Sequence, residues 1–294
     1  MMSKKAFLSY MVVLTFGAAL VGIFYTSGGE RFIVENIYGE SIELYGDGIY
    51  KYNSVLKAMG SKGTDVVMLI VASLFAVFAA LREKSSLYRL LQIGMLTALF
   101  YYSSCLVFGV TFNSLFPVYV MLFSSSLFLL ISLLSEWIKE SRIRHKVLDR
   151  NFSGTAIFTI VSGCSVLVWL EFILPAVMYG TPLTNIEIYT TEATFVLDLG
   201  IILPVYIACG IALLRKKDIG YQLTPILLIF ITIIGLTVIG QNIYQSSKGV
   251  MIPERQFYTI VISFAVLGII ATFLNIRFVK HFKFAESKEK ESAA

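Results

Sequence analysis

"TDVVMLIVASLFAVFAALREK", residues 64–84, decides the class of this protein. Between Asp65 and Arg82 every residue is uncharged, and almost every one is apolar. A helix over 64–81 is roughly 27 Å long, close to the roughly 30 Å hydrocarbon core of a bilayer. Seven further runs of the same kind lie at about 6–25, 87–109, 117–138, 155–178, 194–214, 219–241 and 257–279. Of the 294 residues 57% are hydrophobic and only 15% charged, with a mean hydropathy of +0.78. A soluble domain of this length would need far more polar surface. The sequence therefore predicts an all-α transmembrane helical bundle of eight spans, with the lipid bilayer as its first partner. Lys4 and Lys5 precede the first run, which is too long for a signal peptide and lacks a small-x-small cleavage site, so it is expected to stay as an anchor.

The same stretch ends on Arg82 and Lys84, and this is the pattern that orients the chain. With the N-terminus inside, eighteen basic residues fall on cytoplasmic segments and six on outer ones. The positive-inside rule then places both termini in the cytoplasm. Five of those cations lie between Lys139 and Arg150, where they could touch anionic headgroups. The net charge of +5 is a consequence of topology and implies no nucleic acid.

Asp65, Arg82 and Tyr88 have counterparts in Asp198, Arg215 and Tyr221 at the same spacing. This suggests a parallel 4+4 repeat with halves 1–145 and 146–285, followed by a disordered cytoplasmic tail at 286–294. Equal span lengths and basic inner ends would produce part of the match without duplication. Ala72, Ala76 and Ala80, and Ala208 and Ala212, place small residues on one helix face. Ser103, Ser104 and Ser124 to Ser126 read as interhelical hydrogen-bonding positions. Pro204 and Pro225 each leave a carbonyl one turn earlier, at Gly200 and Tyr221, without its usual donor.

Ionisable groups inside spans are costly and are candidates for function. Glu171 is the deepest, roughly 10 Å from the outer end of its helix, and Asp198 lies roughly 6 Å into the next. One short loop joins those helices, so the two carboxylates are expected to share an outward-facing polar pocket. The plainer alternative is that each hydrogen-bonds to serine or tyrosine, or reaches the headgroups. Asp65 is a lesser candidate for the same binding site, because a Thr-Asp pair that opens a span is already explained by capping and the helix dipole. Gln241 and Asn242 end the seventh span on the same side, where Tyr101 and Tyr102 could complete the site. Glu254 and Arg255 read as a surface ion pair.

No cofactor is called for. The only histidines, His145 and His281, lie outside the spans, which removes a haem or metal held by intramembrane histidines. No lysine sits mid-span for a Schiff base, and no hydrolase or phosphate-loop motif occurs. Cys105, Cys164 and Cys209 all fall within spans as small packing residues and form no disulfide framework.

Between the first two spans, residues 26–63 should form a small outer cap. Ile42 to Tyr45 and Ile49 to Tyr52 flank Gly46-Asp47-Gly48, a three-residue hairpin loop. In that register Tyr45 faces Ile49, Leu44 faces Tyr50 and Glu43 faces Lys51. Ser54 would cap a short helix ending at Gly60, with Tyr50 and Tyr52 at the membrane interface. Leu44-Tyr45-Gly46-x-Gly48-x-Tyr50, Gly63-Thr64-Asp65, Val196 to Gly200 and Gly220-Tyr221 together resemble a group of uncharacterised prokaryotic multi-pass membrane proteins. The resemblance covers most of the chain and implies a prokaryotic cytoplasmic (inner) membrane, but it brings no activity and no site residue.

The function expected from these residues is binding or transport of a small solute or ion through the outward-facing pocket. A non-transporting subunit or sensor that meets a protein partner through its cap is the alternative. A lipid-modifying enzyme comes third, because no nucleophile–base constellation is visible.

Overall fold

A computed structural model of the chain describes residues 4–141 and 152–292. Among the described residues eight helices are long and apolar enough to cross a membrane: α1 (Ala6–Phe24), α2 (Val55–Lys84), α3 (Ser86–Gly109), α4 (Phe116–Lys139), α5 (Ser153–Tyr179), α6 (Ala193–Leu214), α7 (Asp218–Ser247) and α8 (Glu254–Lys280). The chain is thus an all-α polytopic membrane protein with one small two-stranded sheet. The final helix continues to Ser292, past residue 286 where the sequence suggests a disordered tail. Most of the basic segment after Lys139, residues 142–150, lies outside the described residues.

Two helices form the centre. About two thirds of the apolar window of α3 (67%) and α7 (61%) is buried, against 39% or less for the other six. Sequential helices pack as neighbours from α1 to α4 and from α5 to α8, and α1 also meets α4. The two sets join where α7 lies against α2 and α3. Neighbours also plant donors on the α7 backbone around Pro225. Trp137 Nε1 donates to the Gln222 carbonyl (3.0 Å), Asn275 Nδ2 to that of Pro225 (3.3 Å) and Tyr206 Oη to that of Leu227 (2.7 Å). These bonds tie α4, α8 and α6 to the α7 backbone on the turns around the proline; none of the three goes to the Tyr221 carbonyl, the one that Pro225 leaves without its helical donor.

α2 departs from the sequence expectation. Ser54 does cap it, accepting from Lys57 N at 3.3 Å, but Gly60 does not end it. The helix runs on because its glycines are used for close packing. A Cβ on Gly63 would stand 2.6 Å from Gln241 Cα and 2.8 Å from the Gly240 carbonyl oxygen. Glycine inside a helix costs about 1 kcal/mol in propensity, and the close approach of α7 offsets it. Asp65 is consequently almost three turns inside the helix and caps nothing. The alanine stripes are not the tight faces either: Ala72 is buried, whereas Ala80 and Ala208 are exposed. Ser103 and Ser126 do bridge α3 and α4, with their hydroxyls 3.0 Å apart.

The cap contains a hairpin in a different register from the one expected. β1 (Phe32–Glu35) pairs antiparallel with β2 (Ser41–Leu44), placing Ile33 opposite Glu43 and Phe32 opposite Leu44. Its reversal is an Asx turn in which Asn36 Oδ1 accepts from Tyr38 N and Glu40 N. Glu43 pairs with Arg31 (3.4 Å) instead of Lys51. The chain reverses again after β2, with Tyr45 N donating to Asn53 O and Gly46 N to Lys51 O. Gly46 (φ +79°) and Gly48 (φ +61°) occupy the left-handed region that this turn requires. Asp47, between them, reaches back to the end of α1 and accepts from Thr26 Oγ1 (2.8 Å), Ser27 N (2.7 Å) and Gly28 N (3.0 Å). This clasp, rather than a cross-strand ladder, is what Gly46-Asp47-Gly48 supplies.

Desolvation pushes the Asp47 carboxyl up, but hydrogen bonds from Thr26, Ser27 and Gly48 outweigh it and hold the pKa at about 2. A depressed carboxyl stabilises the fold above its ordinary value of 3.8 and loses that contribution as pH falls through about 2. Asp47→Asn should therefore melt below the wild type at neutral pH. The gap in Tm should hold down to about pH 5 and close progressively below pH 4, as read by thermal melts across that range.

Candidate functional site

A cavity of about 520 Å³ lies under the cap end of the bundle, at the junction of the two helix sets. Its walls come from α2, α3, α5, α6, α7 and α8, and residues Leu183 to Glu187 and Ile252-Pro253 bound it on the loop side. Most of the lining surface is apolar, with polar side chains placed among the hydrophobic ones, which suits a ligand pocket of this size.

Asp198 is the carboxylate in its transmembrane wall. It is 6% exposed, Tyr101 Oη donates to its Oδ1 (2.8 Å) and Trp169 Nε1 donates to its Oδ2 (2.8 Å). Both supporting backbones are irregular. Trp169 closes a 3₁₀ turn (Ser165–Trp169) within α5, and Asp198 opens a π turn (Asp198–Ile202) within α6, just ahead of Pro204. Proline at 204 cannot bond to the Gly200 carbonyl, so the wider turn is accommodated there. Irregular backbone at membrane depth is tolerated where it lines a cavity. Among the described residues, no basic side chain is ion-paired with Asp198.

Aromatic rings surround this carboxylate. Trp169 stacks on Phe195 (centroids 4.8 Å apart), and Phe172 stacks on the same ring at 6.2 Å. Tyr101 meets Phe230 edge-on at 5.5 Å. Towards the cap, Gln241 Nε2 donates to Thr64 Oγ1 (2.7 Å), a bond made by the close approach at Gly63. α7 extends to Ser247, so Gln241 lies inside it and lines the cavity; Asn242, turned about 100° further round, does not.

The loop between α5 and α6 contributes the upper boundary. Lys57 Nζ and Glu192 Oε1 form an ion pair of 2.6 Å, and Tyr189 Oη donates to Asn53 Oδ1 (3.1 Å). Asn36 of the cap donates to the Glu187 carbonyl (2.8 Å). Asn185 (φ +61°) and Glu187 (φ +55°) are held in the left-handed region, and both line the cavity. Such conformations cost of order 1–3 kcal/mol in a non-glycine residue and cluster at ligand clamps. Desolvation raises the Glu187 carboxyl above its ordinary value.

Glu171 does not join the site. Its Oε1 is 2.5 Å from Arg255 Nη2, and the side chain is 38% exposed. Two residues along a helix is roughly 200°, so a backbone that aims Trp169 at Asp198 aims Glu171 away from it. Arg255 is the partner of Glu171, not of Glu254.

Asp65 is also outside the cavity, behind Tyr102. It is fully buried; Tyr102 Oη donates to its Oδ1 (2.7 Å) and Tyr50 Oη to its Oδ2 (2.9 Å). α1 closes the remaining side, since a Cβ on Gly22 would stand 2.0 Å from Asp65 Oδ2. Lys62, one turn earlier, donates to the Ile23 carbonyl (3.1 Å) instead of pairing with it. Tyr50 is thus a buried plug and not an interface residue.

Of the residues named from sequence, Asp198, Tyr101, Tyr102 and Gln241 meet at one cavity, while Glu171, Asp65 and Asn242 do not line it. Trp169, Lys57, Thr64 and Glu192 also line the cavity and are not site candidates on the sequence. Only Trp169 had a visible signal, as one of two tryptophans in the chain, in a span that also carries Glu171. Among the described residues no cluster of His, Cys, Asp or Glu is arranged to hold a metal ion. Comparison with protein-family models, with curated proteins and with solved structures finds no match to this chain. The geometry alone carries the functional argument.

Tyr102→Phe leaves a fully buried carboxylate with one donor in place of two. It should lower the unfolding free energy by about 1–3 kcal/mol, the usual cost of an unsatisfied buried group. Adding Asp65→Asn should recover part of that loss, and a double-mutant cycle on detergent-solubilised protein measures the coupling.

Proposed function

We propose that this membrane protein binds a small solute in the cavity between its two helix sets, with Asp198 as the anchoring group, and passes or senses it from the cap side. The reading rests on one observation above the others: a cavity of about 520 Å³ whose wall holds a carboxylate that no described basic side chain pairs with. A charge at membrane depth is expensive and is retained where it has a task. With both termini cytoplasmic, the cavity opens outward, and the strained loop at Asn185 and Glu187 is the element placed to move when a solute enters.

A second reading has its own observation. The cap exposes Ile33 and Ile37 (71% and 82%) beside Phe32 and Tyr38, a patch suited to a protein partner. If it serves one, a stoichiometric protein co-purifies with the wild type and is lost from the Ile33→Ser, Ile37→Ser double variant.

A thermal-shift screen of charge-diverse solutes on purified protein in nanodiscs tests the solute reading. A ligand at 100 times its Kd should stabilise the fold by about 2.7 kcal/mol. Asp198→Asn should remove the shift, whereas Glu171→Gln should keep it. Stabilisation that survives Asp198→Asn, or density for the bound solute away from Tyr101 and Asp198, would overturn the assignment.

A further inference from the structure

Resting on that solute reading, we infer that the occupant is an organic cation: an ammonium group on an apolar body, with the ammonium at Asp198. Three kinds of observation converge on this chemistry. The first is charge. The ionisable side chains of acidic or basic type in the lining are Lys57, Glu187, Glu192 and Asp198, three carboxylates against one ammonium. Lys57 is committed to Glu192 at 2.6 Å, which leaves Asp198 without a cation among the described lining side chains. An anionic solute would meet repulsion, and a neutral one would leave the carboxylate uncompensated in a poorly solvated wall.

The second is the shape of what surrounds Asp198. Its two hydrogen bonds each occupy one oxygen, and a carboxylate accepts about four, so acceptor capacity remains on both atoms. Trp169, Phe172, Phe195, Tyr101 and Phe230 bring ring systems to the same part of the cavity. Aromatic rings with a carboxylate among them are a recognition set for ammonium groups, through ring quadrupoles and through the charge itself. Tyr101 and Trp169 also hold the carboxylate by its own oxygens, so it is fixed before any ligand arrives and little ordering cost remains.

The third is the balance of the remaining wall. Val166, Ile202, Ile234, Val238, Ile260 and Phe264 give an apolar compartment next to the charged point. Among the described residues no group of His, Cys, Asp or Glu side chains gathers there to complete a ligand set for a bare inorganic cation. A cation carrying a hydrocarbon or aromatic body fills both parts. A free amine and an amine-bearing lipid headgroup share this chemistry.

The fluorescence of Trp169 reads the site directly, with Trp137 as a constant background. Protein in phosphatidylglycerol nanodiscs is titrated with 2-phenylethylammonium, 2-phenylethanol and 3-phenylpropanoate, which share a phenyl body and differ in charge. The ammonium should bind at least tenfold more tightly than the alcohol, and the carboxylate should not bind. Asp198→Asn should abolish the preference for the ammonium over the alcohol. Lys57→Gln, which removes the cation from the lining, should tighten ammonium binding several-fold and gives a second variant if Asp198→Asn fails to fold. Alcohol binding as tight as ammonium binding would overturn the cation assignment and leave the solute reading standing. No response of Trp169 to any of the three probes would overturn both. Repeating the titration with phosphatidylethanolamine in the nanodisc separates the sources. A tenfold loss of apparent affinity there identifies a lipid amine as the occupant and an unchanged affinity a free cation, and either result supports the ammonium site.

Discussion

Two carboxylates inside the bundle, neither ion-paired with any described basic side chain, set the terms for the structure around them. A carboxylate drawn out of bulk water is costly unless donors meet it, and here protein donors meet both. Asp65 takes its donors from Tyr50 and Tyr102, and Asp198 from Trp169 and Tyr101. Consecutive residues on a helix point about 100° apart, so Tyr101 and Tyr102 serve two different interfaces from one helix. α3 can do this only from the centre of the bundle, with α2 on one side and α6 within reach on the other. The central position of α3 and the pairing of its tyrosines with two aspartates are one arrangement seen twice.

The loop end follows from the same requirement. Tyr50 reaches Asp65 only because Gly46, Asp47 and Gly48 turn the chain back onto the end of α1 and then release it inward. The cap is therefore fastened into the membrane domain by a buried hydrogen bond, and its hairpin is an appendage to that anchor. On the other side, Asn53 and Lys57 tie the cap and α2 to the loop that precedes α6. That loop carries the two strained residues of the cavity rim. A chain of contacts thus runs from the enclosed Asp65, through the cap, to the loop beside Asp198. The two carboxylates differ in surroundings: Asp65 is sealed by α1 at Gly22, and Asp198 faces a cavity.

The irregular turns of α5 and α6 have a similar origin. A regular helix would present Trp169 and Asp198 at positions fixed by a repeat of 3.6 residues. The tighter turn ending at Trp169 and the wider turn beginning at Asp198 place a donor and an acceptor 2.8 Å apart instead. Pro204 is the sequence feature that makes the wider turn inexpensive, because the hydrogen bond it omits is already missing.

Eight spans, the N-cap at Ser54 and a folded cap between the first two helices are legible in the amino-acid order. Each follows from information local in the chain: an unbroken apolar run, a serine before a helix, glycines around an aspartate. That order also singled out Asp198, Tyr101, Tyr102 and Gln241, since polar groups within apolar runs are visible one at a time. Which of them face each other was decided only by the tertiary structure. Glu171 and Asp198 look equivalent in the sequence, but helix rotation turns one to Arg255 at the surface and the other to Trp169 inside. Asp65 looks like a cap until the approach of α7 at Gly63 carries the helix back to Val55. The hairpin register was decided by the pull of Asp47 on the end of α1, a contact across twenty residues that no alternation of apolar and polar positions encodes. Hydropathy reports how deep a residue lies and not the direction it faces, and in a bundle the direction is set by the neighbouring helices.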